Sequence, residues 1–455
     1  MDKPNIIFIL SDQQRFDTCG CYGQKLNITP NLDNLAEKGV IFEHAFTNQP
    51  VCGPARSILQ TGKYATETGC YRNGIALPTE SKTIAHYLSE NGYNVAYVGK
   101  WHLASTLWDS KEDIGLKKDY MKQAIPPELR GGYNDFWRAA DLLEYTSHPF
   151  EGCIFDENMN KLEFAKYRVD FITDQAIDFL DSCSKNNPFF LYLSYLEPHQ
   201  QNDLNRFVGP IGSKEKCRNF EVPGDLKGTD GDWNQNYPDY LGCCNSIDSN
   251  LKRIQNKLNQ LGFEENTIII YTSDHGCHFK TRNEEYKRSC HEASIRVPLI
   301  IKGLEFVGGK KISELVSTID IPTTILKCAN VPIPKYMRGK PLQELLDDST
   351  KYWNQEIFVQ ISDSRVKIGR AIRTKRWKYS VIDPEKSGFI YAKSEKYVED
   401  ELYDLKNDPF EKNNLIMNND YHQIRTTLSE ILKKKMKEAD EKVPQIIPKA
   451  EYNNK

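Results

Sequence analysis

The chain has 455 residues, of which 39% are hydrophobic, and it carries a formal net charge of −3. This length exceeds the roughly 250–300 residues at which a single core stops growing, so a large domain and a smaller second one are expected. The small net charge argues against nucleic acid as a partner. No apolar run approaches the ~20 residues of a membrane helix, so no membrane partner is expected.

The first apolar run, from Ile6 to Leu10, is predicted to be a buried strand. It is too short for a signal peptide, and no small-residue cleavage site follows it. The sequence as written therefore predicts a cytoplasmic protein. A leader removed from a longer precursor would instead make the mature protein periplasmic or secreted. The 12 cysteines show no disulfide framework and no CxxC pairs, so most are predicted to be reduced, buried thiols.

Over the first 345 residues, short continuous apolar runs alternate with amphipathic stretches. Continuous runs are typical of strands that are covered on both faces, and the spacing of Ile247, Leu251, Ile254 and Leu258 predicts one apolar helical stripe. We therefore predict an α/β fold in which helices sandwich a large mixed, mainly parallel sheet. The predicted strands are Asn5–Leu10, Asn94–Gly99, Pro188–Ser194, Thr267–Thr272 and Val297–Ile301.

From about residue 346 the pattern changes, which predicts a catalytic domain over 1–345 and a C-terminal α+β subdomain with an antiparallel sheet over 346–455. Strands are expected at Glu356–Gln360 and Ala371–Tyr379. A Lys-rich amphipathic helix is expected at about 420–438, and the last dozen residues are expected to fray. Within the first domain, residues 104–165 form an insert.

Reactive residue types follow four of the predicted strands. In parallel sheets, functional residues gather beyond the carboxyl ends of the strands. Five of the nine histidines fall in or close behind these segments, which predicts one shared site. In chain order the segments are Ser11-Asp12-Gln13, Lys100-Trp101-His102, Glu197-Pro198-His199 and Ser273-Asp274-His275-Gly276.

The most specific stretch runs from Val51 to Gly62 and begins Val51-Cys52-Gly53-Pro54-Ala55-Arg56. Pro54 suits the first turn of a helix, which places Cys52 at a helix N-terminus, where backbone N–H groups and the helix dipole favour an anion. The stretch resembles the sulfatase signature, Cys-x-Pro-x-Arg followed by a Gly that ends the helix. With the other motifs, including Arg370–Tyr379 and Glu401–Pro409, the resemblance spans nearly the whole chain in order.

The resemblance is to the formylglycine-dependent sulfatases of the alkaline phosphatase superfamily. It implies that Cys52 is oxidised to Cα-formylglycine, whose hydrate is the nucleophile, and that a formylglycine-generating enzyme is a transient partner. It also implies one divalent metal, held by Asp12, Gln13, Asp274, His275 and the group at Cys52. The family usually has an Asp-Asp pair where this chain has Asp12-Gln13. An oxygen-rich set with one imidazole suits Ca²⁺, with Mg²⁺ or Mn²⁺ as alternatives.

The reaction that the resemblance implies is hydrolysis of a sulfate monoester to an alcohol and inorganic sulfate. One hydroxyl of the hydrate attacks sulfur, His199 or Lys287 assists the leaving oxygen, and the second hydroxyl then expels sulfate. Lys280 competes with Lys287 for the last sulfate-binding position, and Arg288 is a further candidate there. The expected catalytic residues are Cys52, Arg56, Lys100, His102, His199 and Lys287.

A sulfated carbohydrate is the expected substrate, because the insert carries aromatic residues and arginines. An aryl or choline sulfate is an alternative leaving group. A phosphonate monoester hydrolase or phosphodiesterase of the same superfamily is the alternative enzyme, and a non-catalytic sugar-binding relative with Cys52 as a thiol is the alternative outside catalysis. The predicted substrate-binding residues are Arg130, Trp137, His148, Gln200, Asn202, His278, Arg282, Arg288 and His291.

Overall fold

The computed structural model describes residues 3–107, 118–347, 353–363 and 366–453. Part of the predicted insert, residues 108–117, therefore lies outside the described residues. The strands are β1 Asn5–Ser11, β2 Val40–Phe46, β3 Asn94–Lys100, β4 Phe136–Ala140, β5 Ser147–His148, β6 Glu151–Asp156, β7 Lys161–Phe164, β8 Phe189–Ser194, β9 Thr267–Ser273, β10 Arg296–Val297, β11 Leu299–Lys302, β12 Lys310–Ser317, β13 Glu356–Asp363, β14 Val366–Thr374, β15 Trp377–Ser387, β16 Lys396–Asp404 and β17 Gln445–Ile447.

Helices connect and cover these strands. They are α1 Pro30–Lys38, α2 Cys52–Thr61, α3 Ala65–Thr68, α4 Ile84–Glu90, α5 Leu143–Thr146, α6 Arg168–Ser182, α7 Ser213–Cys217, α8 Trp233–Leu261, α9 Glu292–Ile295, α10 Asp320–Cys328, α11 His422–Glu438 and α12 Lys449–Asn453. Among the helices that the structure describes, none combines the length and the apolar character that crossing a membrane requires.

The first 12 strands form one mixed sheet in the order β10-β2-β11-β9-β1-β8-β3-β4-β6-β5, with β12 beside β2 and β7 beside β6. The central strands β9, β1, β8, β3 and β4 run parallel to one another. The α/β class and the mainly parallel sheet are therefore confirmed. The five apolar runs that were predicted as strands all lie in this sheet, and β10 and β11 divide the last of them at Pro298.

Both faces of the central sheet are covered, which explains the continuous apolar runs within its central strands. In β1, Ile6 and Phe8 face a core beneath α4 and α10, whereas Ile7 and Ile9 face a core beneath α1, α6 and α8. All four are fully buried, and each contributes roughly 1.5–3 kcal/mol of burial free energy. The predicted apolar stripe of α8 lies in the second of these cores.

The C-terminal strands form a separate five-stranded sheet, β13-β14-β15-β16-β17, which is antiparallel except for the last pair. The single strand predicted at Ala371–Tyr379 is wrong, because the chain turns at Lys375 and Arg376 and forms the β14–β15 hairpin. The expectation that the last dozen residues fray is also wrong as far as residue 453. There β17 pairs with β16, and α12 follows it. The domain division at 345 and 346 stays a prediction.

Candidate active site

The pairing of β1 with β9 brings two carboxylates together at the sheet edge. Ser11 lies opposite Ser273, so the next residues, Asp12 and Asp274, are neighbours. The backbone N–H of Gln13 donates to Asp274 Oδ1 over 3.0 Å. An Arg56 guanidinium nitrogen lies 3.1 Å from Asp12 Oδ2 and 3.3 Å from Asp274 Oδ2. Arg56 therefore balances the charge of the acid pair, and its other contacts are to Lys100 O and Ser194 Oγ.

Helix α2 presents Cys52 to this acid pair from its first turn. All ten of its residues are buried. As the Pro54 pattern predicts, the helix begins at Cys52, and it ends at Gly62, whose φ of 66° gives a left-handed cap. The Cys52 Sγ lies 3.4 Å from Asp12 Oδ1 and 3.2 Å from His275 Nε2.

Two lysines complete the polar centre. Lys100 ends β3, and its Nζ lies 2.9 Å from Asp12 Oδ2 and 3.1 Å from Glu144 Oε1. Lys287 Nζ lies 2.8 Å from Cys52 Sγ. Burial on its own would lower the pKa of each lysine, but nearby acids or the Cys52 group raise it above its usual value. Both side chains are therefore cations within a buried, anion-attracting site.

Three neutral imidazoles surround these charges. Burial, reinforced by the neighbouring lysines, lowers the pKa of His102, His199 and His275 well below the usual value. The Nε2 atoms of His199 and His275 each lie 3.3 Å from Lys287 Nζ. His275 Nδ1 lies 2.9 Å from the Gly276 carbonyl and donates to it, so its Nε2 carries a free lone pair.

Burial also fixes the protonation of the Cys52 thiol and of the two acids. Burial and then Asp12 raise the pKa of Cys52 to about 12, so an unmodified thiol stays protonated at neutral pH. Burial and then Asp12 raise the pKa of Asp274 to about 6. Burial would raise the pKa of Asp12 as well, but Lys100 and the other surrounding cationic groups hold it well below its usual range. Asp12 is therefore ionised at neutral pH, whereas the Cys52 thiol is protonated.

The donor atoms fit a hard divalent cation. The ligand atoms of Asp12, Cys52, Asp274 and His275 all lie within 4.8 Å of one another. Gln13 Nε2 donates to Gln200 Oε1 over 2.8 Å, and the buried Gln13 Oε1 has no hydrogen-bond partner among the residues that the structure describes. A buried oxygen that lacks a donor is suited to a cation. Gln13, which stands where the family usually has a second Asp, therefore stays a candidate oxygen ligand beside the four clustered groups.

A cavity of about 420 Å³ reaches the charged centre at Cys52, His199 and Lys287. Lys280 and Arg288 both line it, but Lys280 pairs with Asp232 at 3.2 Å and Arg288 contacts Glu285. Only Lys287, of the three candidates for the last sulfate-binding position, contacts Cys52 in the described structure. Other lining residues are His102, His199, Gln200, Asn202, Asn73, Glu144, Tyr145 and Tyr286.

Two predicted substrate-binding residues lie in the core instead. Trp137 is fully buried and stacks on Tyr97 at a centroid distance of 5.3 Å. Arg130 lies over the Trp137 ring and donates to the carbonyls of Ile125 and Glu157. This corrects the expectation that they contact substrate, because neither lines the cavity. His148 is exposed, pairs with Asp203 at 2.7 Å, and lines an adjoining cavity.

Three further predicted residues, His278, Arg282 and His291, support the segment that carries Lys287. His278 Nε2 lies 3.0 Å from the Lys287 carbonyl. Arg282 donates to the carbonyls of Phe410 and Glu411 in the C-terminal region. His291 Nε2 lies 3.3 Å from Glu401. These three are therefore placed to position the segment, and the expectation of direct substrate contact is corrected for them because they do not line the cavity.

Glu144 and Tyr145 were missed by the sequence reasoning. They lie on the short helix α5 inside the insert, where no motif marks them. The role of Glu144 follows from its contact with Lys100, which is 44 residues away in the chain. No signal in the sequence relates these two positions.

Comparison with known proteins gives matches along nearly the whole chain. The family model described as Sulfatase matches residues 4–331, and a model for the C-terminal part of N-sulphoglucosamine sulphohydrolase matches residues 285–438. An ulvan-active sulfatase of Formosa agariphila is 29% identical over 96% of this chain and 81% of its own length.

A second relative, an N-acetylglucosamine-6-O-sulfatase of Bacteroides thetaiotaomicron, is 26% identical over 97% of this chain and 88% of its own length. A solved structure in complex with its substrate, D-glucosamine-2-N,6-O-disulfate, superimposes with a TM-score of 0.76 at 22% identity. That superposition covers 96% of this chain and 98% of the other, and it shows a shared fold.

Proposed function

The chain belongs to the sulfatase family and is a sulfuric ester hydrolase, and from this premise we propose that it removes sulfate from a carbohydrate by means of a formylglycine derived from Cys52. The observation that carries the proposal is the floor of the cavity. There Lys287 Nζ lies 2.8 Å from Cys52 Sγ, and Arg56 and Lys100 flank the acids beside it. Fixed cations of this kind stabilise the charge that develops on a transferred sulfuryl group.

Conversion of Cys52 is supported by the inertness of the unmodified thiol. With a pKa of about 12, it would be protonated and poorly nucleophilic at neutral pH. A formylglycine hydrate at position 52 would supply one hydroxyl to attack sulfur and displace the alcohol, and its second hydroxyl would expel sulfate and restore the aldehyde, to which a water molecule would then add. This chemistry requires a formylglycine-generating enzyme as a transient partner.

The metal would be held by Asp12, Gln13, Asp274 and His275, together with the group at position 52. Ca²⁺ is proposed first, with Mg²⁺ or Mn²⁺ as alternatives, because three of these four side chains offer oxygen. A bound divalent cation polarises a sulfuryl oxygen and lowers the pKa of a neighbouring hydroxyl. Gln13 gives the site one negative charge fewer than a second carboxylate would.

The remaining polar side chains orient sulfate and move protons. The Lys100 and Lys287 ammonium groups donate hydrogen bonds to sulfate oxygens. His199 is neutral, with Nε2 3.3 Å from Lys287 Nζ, so the pair can hold the proton that the leaving oxygen needs. His102 is neutral and lines the same cavity, where its ring can accept a proton from the nucleophilic hydroxyl.

A carbohydrate is favoured over other sulfate esters by the relatives and by the cavity. The ulvan-active sulfatase and the N-acetylglucosamine-6-O-sulfatase both act on sulfated carbohydrates by their names. The upper wall of the cavity carries hydrogen-bonding amides at Asn73, Gln200, Asn202 and Asn205. Amide groups both donate to and accept from hydroxyls, which suits a sugar ring.

The test is sulfate release from a defined panel by protein matured with a formylglycine-generating enzyme. The panel contains N-acetylglucosamine 6-O-sulfate, D-glucosamine-2-N,6-O-disulfate, 4-nitrophenyl sulfate, choline sulfate and a phenylphosphonate monoester. We expect the highest kcat/KM on a sugar sulfate and none with Cys52→Ala. Dominant turnover of the phosphonate or of choline sulfate would contradict the proposal.

The modification itself is tested by peptide mass. Conversion of Cys52 to the aldehyde lowers the mass of its peptide by about 18 Da. We expect the active fraction of the protein to rise in proportion to the converted fraction. Full activity from material in which the Cys52 peptide is unmodified would contradict the formylglycine mechanism while leaving the family assignment intact.

A further inference from the structure

A second cavity of about 620 Å³ adjoins the catalytic cavity. Glu144, Tyr145 and Asn202 line both cavities, so the two are neighbours that share these three side chains. The second cavity is lined by residues of α5, β5, β6 and β7, which belong to the described part of the insert. The mechanism above uses none of its other residues.

Tyr145 marks the junction between the two cavities. Its side chain is 46% exposed although it is a large aromatic residue. Helix α5 holds its backbone, and the Tyr145 N–H donates to the Leu142 carbonyl over 2.9 Å. An exposed ring on a fixed backbone offers an apolar face at little entropic cost, and its hydroxyl gives one polar edge.

Glu144 supplies a hydrogen-bond acceptor at the same junction. Its Oε1 lies 3.1 Å from Lys100 Nζ, whereas its Oε2 is buried and has no hydrogen-bond partner among the described residues. Asn202 adds an amide beside it. A buried carboxylate oxygen without a donor is suited to a ligand hydroxyl, and the Lys100 contact fixes its orientation.

The charges of the second cavity disfavour an anionic ligand. Its lysines are Lys122 and Lys161, and the second pairs with Glu163 over 2.7 Å. His148 pairs with Asp203 over 2.7 Å. Among the described residues that line this cavity, carboxylates outnumber lysines, in contrast with the cationic floor around Cys52. The carboxylates are those of Glu144, Glu151, Glu163 and Asp203.

We propose that the two cavities form one binding cleft for a sulfated oligosaccharide. The sulfated unit occupies the cavity at Cys52, and a neighbouring sugar unit without sulfate occupies the second cavity. Tyr145 stacks on the neighbouring ring, and Glu144 and Asn202 bond its hydroxyls. This inference rests on the proposed function and narrows its substrate from any sugar sulfate to one joined to an uncharged sugar.

The experiment compares kcat/KM for four substrates of the matured protein. The first is the monosaccharide N-acetylglucosamine 6-O-sulfate. The second and third are disaccharides in which an unsulfated sugar is joined to the reducing or to the non-reducing side of that sulfated unit. The fourth is the better of these two disaccharides with a sulfate added to the neighbouring sugar as well. Binding energy from a remote unit raises kcat/KM. We expect one unsulfated-neighbour disaccharide to exceed the monosaccharide by about tenfold or more, equivalent to about 1.4 kcal/mol, and the disulfated one to lose that gain.

Three variants then test whether Tyr145 causes the higher kcat/KM of the disaccharide. Tyr145→Ala should reduce the ratio of disaccharide to monosaccharide kcat/KM to near one, and Tyr145→Phe should retain the ratio because the ring is kept. Phe150→Ala is the matched control, since it removes an aromatic residue that is 38% exposed in the same segment and lines neither cavity. The control should leave the ratio unchanged.

Two outcomes overturn the inference, and they are distinguishable. Equal kcat/KM for the monosaccharide and all disaccharides, or a ratio unaffected by Tyr145→Ala, overturns the cleft while the sugar sulfatase activity stands. Turnover of 4-nitrophenyl sulfate without turnover of any sugar sulfate overturns the proposed function, and the cleft with it.

Discussion

Replacement of Gln13 by Met tests the unusual ligand of the metal site. Met keeps an unbranched side chain of similar volume, so packing changes little, but its thioether is a poor ligand for a hard cation. The change removes Oε1, which is buried and lacks a hydrogen-bond partner in the described structure. It also removes the bond from Nε2 to Gln200 Oε1.

The two losses act on different quantities. A buried acceptor without a partner costs about 1–3 kcal/mol, and a cation that binds the acceptor recovers this free energy. Loss of Oε1 should therefore weaken metal affinity by about 5- to 150-fold. Without metal, the lost Gln200 bond costs about 0.5–1.5 kcal/mol, and removal of the unpaired oxygen offsets it. The metal-free variant should thus unfold at nearly the wild-type temperature.

Calorimetric titration of Ca²⁺ into EDTA-treated protein measures the affinity, and thermal unfolding with and without Ca²⁺ measures the linked stability. Gln200→Met is the matched control, because it removes the same hydrogen bond and leaves the Gln13 oxygen in place. It should bind Ca²⁺ with near wild-type affinity. Wild-type affinity in Gln13→Met, with one ion bound per chain, would refute the assignment of Gln13 as a ligand.

Three further predictions concern the lysine that binds sulfate, the contact between Glu401 and His291, and the pH dependence of folding stability. Lys287→Met should lower kcat/KM by about 10²–10³-fold, as loss of one fixed donor does. Lys280→Met should lower kcat/KM less than tenfold. The reverse order of the two effects in steady-state kinetics would contradict the assignment of Lys287 as the last sulfate-binding residue. Glu401→Gln weakens the contact with His291, so kcat and the melting temperature should both fall, and unchanged values of both would exclude this support. Burial lowers the pKa of His44 to about 4, below its usual 6.5. The stability that neutral His44 contributes is therefore present above pH 6.5 and is lost as pH falls towards 4. The free energy of unfolding of His44→Gln should depend less steeply on pH over that window, and equal slopes for variant and wild type would rule out this role of His44.

The sequence predicted best those features that depend on local pattern. The central strands contain continuous apolar runs because helices cover both faces, and that pattern identified β1, β3, β8 and β9 and the residues that follow them. Pro54 identified the start of α2 for a similarly local reason. Because parallel strands end at one sheet edge, these segments could be assigned to one place without coordinates.

The errors concern residues whose surroundings depend on distant contacts. Trp137 and Arg130 occupy an insert with the composition of a surface loop, but β4 pairs with β3 and carries Trp137 into the aromatic core. The choice between Lys280 and Lys287 required the path of an irregular segment. Glu144 has no motif and depends on Lys100 for its role. Burial and cross-chain contacts of this kind do not follow from sequence periodicity.

The burial of α2 limits the time during protein synthesis in which Cys52 is accessible. Cys52 is only 1% exposed, and α10, which lies about 260 residues further along the chain, packs against its helix. At about 5–20 residues per second, this interval lasts roughly 13–50 s on the ribosome. Under the proposed formylglycine mechanism, a modifying enzyme would meet an accessible cysteine during that interval, whereas in the completed fold the side chain is buried. Under that mechanism, the fraction of active molecules would depend on the relative rates of elongation, folding and oxidation of Cys52, and a chain that folded before oxidation would be inactive.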